Sequence, residues 1–534
     1  MTNIVITGFM GTGKTTVGRE VARRLDRSFV DMDAEIEART GKSIPCIFAE
    51  DGEGAFRQME NELCKELRAQ QGKVIATGGG ALVSSSNRAL MMKGSTVICL
   101  TCTLEQLLCR VNGTANPDRP LLDAADLPAA IERLLGVRSE AYTNIPWQID
   151  TTDLTVEEAA ARVIGIANAI TLPVRYPNDQ CNIHIGNGLL EQVGAALRAT
   201  CMPEDGHVAV VSNPVVAPIY GTQVEEALRS SGFLPFSCTI PDGEHHKTLV
   251  TLAQLYEQFL AGGLNRGGTV ISLGGGVTGD VAGFAAATFM RGVRFIQLPT
   301  TLLAMVDASV GGKTGVDLPL GKNLVGAFKQ PALVIIDPNV LLTLPAEEIR
   351  SGLAEVIKHG VIADPDLLAE LAEGDYTLSS WWEESATARI TRALRVKIDL
   401  VEEDPLEGGR RALLNLGHTV GHALEKASGF SLRHGEAISI GMVAAARVAG
   451  ELGRASPSLA DYIEAVLIGW DLPVRCPPFD ADNIWQTMAY DKKKRGQVLR
   501  WGLPRAIGEV EISEDVPPSL VKSVLCDMGA KCEK

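Results

Sequence analysis

Eight residues near the start of the chain, Gly8-Phe9-Met10-Gly11-Thr12-Gly13-Lys14-Thr15, have the types and spacing to grip a phosphate chain. The pattern GxxxxGK[S/T] uses glycines to turn backbone N–H groups inward around phosphate oxygens, a lysine to reach the β- and γ-phosphates, and a hydroxyl to ligate Mg²⁺. Here it follows an apolar run at 4–7 and opens an amphipathic stretch at 14–25. That strand-to-helix context adds the helix dipole to the cradle and separates the motif from a chance glycine-rich turn. Lys14 and Thr15 are the candidate phosphate and Mg²⁺ contacts.

Weaker signals follow. Asp31-Met32-Asp33 closes the next apolar run, where a carboxylate could bind or deprotonate a hydroxyl. Taken alone it is as readily a solvated turn. Gly78-Gly79-Gly80 follows a third run, and bare backbone there lets a ligand come close. Arg57 and Arg138 lie in amphipathic stretches, and Arg119 follows a polar segment at 112–118 that could act as a lid. Each arginine alone is more often a solvated surface charge.

A second constellation occupies the rest of the chain. His418 and His422 are four apart and share one helix face, His434 follows in RHGEA, and Glu355 sits in GLAEVIKHG. His418, His434 and Glu355 would make an open His₂Glu set, the donor pattern of a catalytic zinc site with room for substrate oxygens. Gly274-Gly275-Gly276-Val277-Thr278-Gly279-Asp280 follows an apolar run and leads into a small-residue helix, a loose dinucleotide loop. Asp242-Gly243-Glu244-His245-His246-Lys247 closes another run. Thr300-Thr301, Lys313 after two glycines, and Lys322-Asn323 suggest an anionic, phosphorylated substrate; surface loops with solubilising lysines are the plain alternative.

The elements that must position these groups read as two unrelated α/β rhythms. Residues 4–7, 28–31, 74–77 and 96–100 read as strands, and 14–25, 53–70, 104–110, 127–141 and 156–169 as helices, which implies a parallel sheet wrapped by helices. Two prolines and a polar cluster at 171–180 mark a junction. Strand signals resume at 208–212, 269–273 and 295–298, then fade after about residue 344 into helical patterns at 347–359, 386–402 and 418–427. With 534 residues, and about 100–200 per domain, three domains are expected. The expected domains are a P-loop parallel-sheet domain at 1–168, a Rossmann-like dinucleotide-binding α/β domain at 176–343, and a mostly α-helical metal-binding domain at 344–534.

A net charge of −15 disfavours a nucleic-acid or acidic-membrane partner, which would need a basic stripe. There is no signal-peptide pattern and no apolar run of 18 residues. The 11 cysteines are scattered, and the one CxxC, Cys99 and Cys102, ends an apolar run. Buried, reduced thiols and a cytoplasmic setting are expected.

The first 168 residues resemble shikimate kinase, carried by GFMGTGKT at 8–15, DMD at 31–33, FRxxE at 56–60, TGGG at 77–80, RPLL at 119–122 and RxxxY at 138–142. The resemblance implies that Gly11, Thr12, Gly13, Lys14, Thr15 and Thr16 hold ATP and Mg²⁺. It also implies that Asp33 binds the acceptor diol, that Arg57, Arg138 and Gly79 hold its carboxylate end, and that Arg119 stabilises the transferring phosphoryl group. Arginine forks for a carboxylate and a carboxylate for hydroxyls are what such an acceptor needs. Arg110 is a candidate adenine contact.

Residues 176–512 resemble 3-dehydroquinate synthase through DGEHHK, GGGVTGD, FMRGVRFIQLPTTLLAMVDASVGGKTG, GKNLVGAF, SGLAEVIKHG, LLNLGHTVGHALE and RHGEA. The resemblance implies Zn²⁺ or Co²⁺ on Glu355, His418 and His434. It implies NAD around Asp242, Gly243, Glu244, Lys247, Gly276, Val277, Thr278, Gly279, Asp280, Thr300, Thr301, Lys313 and Lys322. The heptulosonate phosphate would meet Asp307, Lys313, Asn323, Lys358, Lys397, Arg411, Asn415, His422 and a lysine of the 492–493 pair, Lys492 or Lys493. Arg291 would reach a neighbouring subunit, implying a homodimer through the synthase part. Asn213 stands where that family often has Asp.

The expected chain is thus a fusion of two enzymes of chorismate-precursor biosynthesis whose steps are not consecutive, which points to shared expression rather than channelling. Two rivals are another sugar-phosphate cyclase or a glycerol-dehydrogenase-like oxidoreductase in the C-terminal part, and a non-catalytic ATP-binding module in the N-terminal third.

Overall fold

The computed structural model describes the chain except residues 113–126, 178, 201–205, 320, 375, 378–385, 495–498 and 533–534, and except the side chains of residues 112 and 489–494. Arg119 and the side chains of Lys492 and Lys493 therefore lie outside the described residues. Two compact units emerge: Met1–Ala169 with Gly186–Met202 and Glu226–Phe233, and Ile170–Ile185 with Pro203–Glu225 and Leu234–Lys534.

In the first unit, β1 (Asn3–Gly8) is buried along its whole length, as a central parallel strand with an uninterrupted apolar run should be. With β2 (Phe29–Asp31), β3 (Val74–Ala76), β4 (Ser95–Thr101) and β5 (Trp147–Asp150) it forms a parallel sheet of order β2-β3-β1-β4-β5. Chain order reverses beside β1, so a crevice opens at the carboxyl ends of β1, β2 and β3. There the sequence places Gly8, Asp31 and the Gly78–Gly80 turn. Helices α1 (Lys14–Arg24), α2 (Met32–Thr40), α3 (Gly52–Ala69) and α4 (Leu127–Thr143) supply Lys14, Asp33, Arg57 and Arg138.

The second unit has a seven-stranded sheet of order β6-β7-β14-β11-β10-β8-β9. Its strands are β6 (Ile170–Tyr176), β7 (Asp179–Ile185), β8 (His207–Ser212), β9 (Leu234–Thr239), β10 (Thr269–Gly274), β11 (Arg294–Pro299) and β14 (Leu333–Ile336). All neighbours are parallel except the β6–β7 hairpin. The segment read as a linker is thus mostly strand. Leu172 and Val174 alternate inward, and Pro173 is tolerated because β6 is an edge. A separate hairpin, β12 (Lys313–Leu318) and β13 (Gly321–Phe328), replaces the loops expected around Lys313 and Lys322.

The remainder is helical, with α5 (Gly276–Thr288) on the sheet and α6 (Ala346–Ala363), α7 (Ala386–Glu403), α8 (His418–Ala427) and α9 (His434–Glu451) beyond it. Strands do not vanish there: β15 (Trp501–Ala506) pairs with β16 (Glu509–Ser513). Among the described residues no helix is long and apolar enough to cross a membrane. Cys99 and Cys102 carry free thiols, and burial pushes Cys99 up to about 12, which makes it inert. Cys526 and Cys532, by contrast, are joined in a disulfide that no spacing signal marked.

Candidate active sites

In the first unit the glycine-rich loop turns between β1 and α1 with Gly11 and Gly13 at φ +85° and +91°, backbone that other residues rarely adopt. Thr12 donates to the Phe9 carbonyl at 2.7 Å, and Lys14 reaches the same oxygen at 2.9 Å. Thr15 donates to Asp31 Oδ2 at 2.7 Å, so the first carboxylate of DMD faces the candidate Mg²⁺ position. Thr16 is exposed. Asp31 caps α2, which leaves Asp33 directed into the crevice.

The Gly78–Gly80 turn is where the acceptor candidates converge. A Cβ on Gly78 would lie 2.4 Å from Asp33 Oδ1, and one on Gly80 would lie 2.2 Å from Arg57 Nη1. The Gly79 carbonyl accepts from Arg138 Nη1 at 3.2 Å and from Tyr142 at 2.6 Å. Asp33, Arg57, Gly79 and Arg138 are thus brought together. Beside Arg57 and Arg138 opens a cavity of about 580 Å³, lined also by Gln58, Asn61, Val83 and Leu134. Burial, reinforced by Asp31 and Glu37 against Lys14 and Arg57, pushes Asp33 up to about 6. Arg110 donates to the Thr151 carbonyl at 2.6 Å, at the edge of the sheet beside the cradle.

Glu60, the last residue of FRxxE, is a functional residue that sequence reasoning missed. Its carboxylate is 1% exposed and takes a 2.7 Å hydrogen bond from Arg57 Nη1, while Glu53 takes another at 2.9 Å. Burial raises the Glu60 pKa and Arg57 counters it. The i, i+3 spacing of Arg57 and Glu60 on one helix was the signal available.

In the second unit the glycine-rich turn after β10 opens α5, and Thr300 N donates to the Gly274 carbonyl at 3.0 Å. Thr301 packs under Gly275, Thr278 is buried, and Val277 packs on the adjoining core. Lys247 is buried and ties three segments together, pairing with Asp280 and donating to Asn323 Oδ1. Lys322 faces Glu244 at 3.3 Å. Gly243 takes φ +102° in the neighbouring turn. Asn213 gives its amide to Asp242 Oδ1 at 2.7 Å, and its own oxygen accepts from the Val215 and Val216 amides. Asn213 therefore serves as a brace for Asp242.

The metal candidates meet at the junction of α6, α8 and α9. Glu355 is fully buried, 3.3 Å from His434 Nε2 and 3.8 Å from His418 Nε2, and it pairs with Lys358. The donor atoms of Glu355, His418 and His434 lie within 4.8 Å of one another. Glycines allow the approach: a Cβ on Gly435 would lie 2.1 Å from the Ser351 carbonyl, and one on Gly441 would lie 2.0 Å from the Gly417 carbonyl. Burial opposes charge on Glu355, but Lys358, His434 and His418 hold it well below the usual carboxylate range. Burial and Lys358 hold His418 well below its ordinary value. His434 resists burial and is pushed up to about 9 by Glu355 and Glu425.

Around this group, Lys397 pairs with Asp307, and Arg411 donates to the Pro405 carbonyl at 2.7 Å and to the Gly311 carbonyl at 3.3 Å. Lys313 pairs with Glu407, which also accepts from Asn415 at 3.0 Å. Glu407 is a further residue that sequence reasoning missed. His422, 58% exposed, stands 3.9 Å from Glu425. Arg291 is exposed on a turn where Met290, Arg291 and Gly292 all have positive φ. His359 is buried beside Glu355 and Asp307 with no hydrogen-bond partner among the described residues, and burial with Lys358 pushes it down to about 3.

The family model for shikimate kinase matches residues 10–167, that for the 3-dehydroquinate synthase N-terminal region matches 237–351, and that for its C-terminal region matches 352–494. A 3-dehydroquinate synthase of Microcystis aeruginosa is 46% identical over 365 residues, covering 67% of this chain and 98% of its own. One from Gloeobacter violaceus is 46% identical over 358 residues, covering 67% and 98%. A solved 2-epi-5-epi-valiolone synthase of Streptomyces hygroscopicus, with NAD⁺ and Zn²⁺ bound, is 27% identical with a TM-score of 0.60, covering 66% of this chain and 98% of that one. A 2-deoxy-scyllo-inosose synthase complexed with carbaglucose-6-phosphate, NAD⁺ and Co²⁺ is 26% identical with a TM-score of 0.59, covering 67% and 100%. The chain belongs to the 3-dehydroquinate synthase family, and it carries a shikimate kinase domain ahead of the synthase.

Proposed function

We propose that the N-terminal unit phosphorylates shikimate with ATP to give shikimate 3-phosphate. The C-terminal part converts 3-deoxy-D-arabino-heptulosonate 7-phosphate to 3-dehydroquinate and phosphate. Residues 1–168, 176–343 and 344–534 are the corresponding kinase, nucleotide-binding and metal-binding domains. The observation that carries the synthase reading is a buried Glu355 facing His418 and His434 beside Lys358 and the Lys397–Asp307 pair. A compact N and O donor set there adjoins cations suited to a sugar-acid phosphate.

In the kinase, backbone N–H groups of Gly11–Thr16 and Lys14 would cradle the triphosphate, and Thr15 would ligate Mg²⁺. Asp33 accepts the hydrogen of the acceptor hydroxyl and orients it for in-line attack. Arg57 against Gly80 and Arg138 against Gly79 hold the carboxylate of shikimate. Arg119 is assigned by its RPLL motif to the transferring phosphoryl group.

In the synthase, the donor set fits Zn²⁺ or Co²⁺: two imidazoles and one carboxylate leave positions open for substrate oxygens. The turn at Gly274–Asp280 fits NAD, because small residues and a helix N-terminus present bare N–H groups. When bound, NAD supplies a recyclable hydride acceptor and the metal ion polarises the carbinol oxygen. Asp242, Gly243, Glu244, Lys247, Gly276, Val277, Thr278, Gly279, Asp280, Thr300, Thr301 and Lys322 position the dinucleotide. Lys313, Asn323, Lys358, Lys397, Arg411 and Asn415 hold the phosphate, carboxylate and hydroxyls of the substrate, so that the leaving phosphate stays oriented toward the C–H it deprotonates. Asp307 holds Lys397 in place. His422, half in solvent, relays protons between substrate and water.

The exposed Arg291 turn and one lysine of the 492–493 pair, Lys492 or Lys493, complete the substrate site, Arg291 in the neighbouring subunit of a homodimer. A cytoplasmic setting fits an enzyme of this kind. The test is phosphate release from the heptulosonate phosphate with and without a chelator. Chelator-sensitive release with no net NADH is expected, whereas stoichiometric NADH would move the reading to a dehydrogenase. For the kinase, ADP formation must depend on shikimate; binding of ATP without turnover would leave only a nucleotide-binding module.

A further inference from the structure

Glu425 closes the LLNLGHTVGHALE motif beside the metal candidates. It lies on α8, two turns from His418, with its side chain 8% exposed. Its Oε1 is 3.6 Å from His434 Nδ1, while the opposite nitrogen of the same ring, Nε2, faces Glu355 at 3.3 Å. One imidazole is thus held between two buried carboxylates, each at its own ring nitrogen. The same Glu425 Oε1 is 3.6 Å from Lys322 Nζ, and Oε2 is 3.9 Å from His422.

We propose that Glu425 is the positioning residue of the metal centre. It takes the Nδ1–H of His434, fixes the ring so that Nε2 is the ligating nitrogen, and makes that nitrogen a stronger donor. A ligating histidine needs a partner on its other nitrogen to set both its tautomer and its orientation, and loss of such a partner typically weakens metal binding about 10–100-fold. Among the described residues geometry gives this role to Glu425, since the other carboxylate at the ring, Glu355, belongs to the donor set.

His422, Glu425 and His434 also form a group of three donors within 4.8 Å, so Glu425 could instead be a ligand of a second cation. Lys322 decides against that. Its ammonium already faces Glu425 at 3.6 Å and would meet any cation placed there. Lys322 further packs over the Phe430 ring at 4.4 Å and faces Glu244 at 3.3 Å. Glu425 therefore joins the turn assigned to the nucleotide with the ring assigned to the metal.

This inference rests on the metal assignment made above, and the experiment separates the two. The full chain is stripped of metal and titrated with Co²⁺, following its visible absorption bands, and Zn²⁺ affinity is read by competition with a chromophoric chelator. These are done for wild type, Glu425→Gln, Glu425→Asp and Glu355→Gln, with thermal melts of each metal-free protein to establish folding. Expected are one Co²⁺ per chain, an altered Co²⁺ spectrum and about 10–100-fold weaker Zn²⁺ binding for E425Q, and partial recovery in E425D. An E425Q protein that melts like wild type and keeps its Zn²⁺ affinity and Co²⁺ spectrum would overturn the role. Two Co²⁺ per chain, the second lost in E425Q, would overturn it in favour of a ligand. If wild type and E355Q bind Co²⁺ alike, the metal assignment itself fails.

Discussion

Lys397 and Asp307 form an ion pair inside the synthase, with the Lys397 ammonium 2.5 Å from Asp307 Oδ1 and its side chain 7% exposed. Burial alone would raise the Asp307 pKa, but Lys397 overrides it and holds the carboxylate well below the usual range. Removing one partner of such a pair strands the other, at about 3–5 kcal/mol. Lys397→Met is expected to lose that much in urea denaturation at pH 7, along with phosphate release. Replacing both partners with apolar residues should recover most of the stability and none of the activity. The sign with pH follows from the depressed pKa: the contribution is present above the unfolded value of about 3.9 and is lost as pH falls through the folded value. In Lys397→Met the stranded Asp307 protonates readily, so its deficit relative to wild type should narrow as pH is lowered.

The kinase offers the opposite sign. Asp33 is pushed up to about 6 by burial, and in the role proposed for it the carboxyl must be ionised to accept a hydrogen bond from the acceptor hydroxyl. The shikimate-dependent kcat/KM should therefore fall as pH drops through about 6, and Asp33→Asn should be inactive at every pH. A raised folded pKa contributes stability below the unfolded value that is lost as pH rises through the folded one. Asp33→Asn should thus stabilise the kinase unit on the order of 1–3 kcal/mol at pH 7, with little effect below pH about 4. A flat pH profile between 5 and 7 would remove Asp33 from the acceptor site.

These two carboxylates show what was and was not readable beforehand. Asp33 stands next to a strand end in a short motif, so its place at the crevice follows from local chain order. The strand pattern and helix periodicity likewise predicted the P-loop, the turn after β10, and the helix carrying His418 and His422 to within a few residues. Asp307 and Lys397 are 90 residues apart, and Glu425 and His434 flank a turn whose fold no periodicity fixes. Glu60, Glu407 and Glu425 look like ordinary helix or loop acids until burial and a cationic partner distinguish them. β6 and the β12–β13 hairpin were hidden by prolines and glycines, which signal turns in isolation but are tolerated on an edge strand and in a short ribbon.

The two activities should separate on metal removal. Incubation with a strong chelator followed by its removal should abolish phosphate release, because Glu355, His418 and His434 supply no competing route to polarise the substrate oxygen. Added Zn²⁺ or Co²⁺ should restore it, while ATP-dependent shikimate phosphorylation, assayed with excess Mg²⁺, should be unchanged throughout. Loss of both activities together would point to unfolding rather than metal loss, and far-UV circular dichroism would register it.

The approach of α8 to α9 gives the sharpest mutational contrast. A methyl group on Gly441 would sit 2.0 Å from the Gly417 carbonyl, backbone that cannot swing aside, and Gly417 immediately precedes His418. Gly441→Ala must therefore push the two helices apart, with an overpacking cost of about 1–3 kcal/mol. The same displacement separates His418 from His434, so Zn²⁺ affinity should fall along with stability. Gly450 lies on the same helix but has its nearest neighbour at 3.9 Å, an ordinary contact. Gly450→Ala should keep Zn²⁺ affinity and gain up to about 1 kcal/mol from helix propensity. Denaturant midpoints and chelator competition on the two variants measure both effects. If Gly441→Ala binds Zn²⁺ as tightly as Gly450→Ala, the helix spacing does not set the metal geometry.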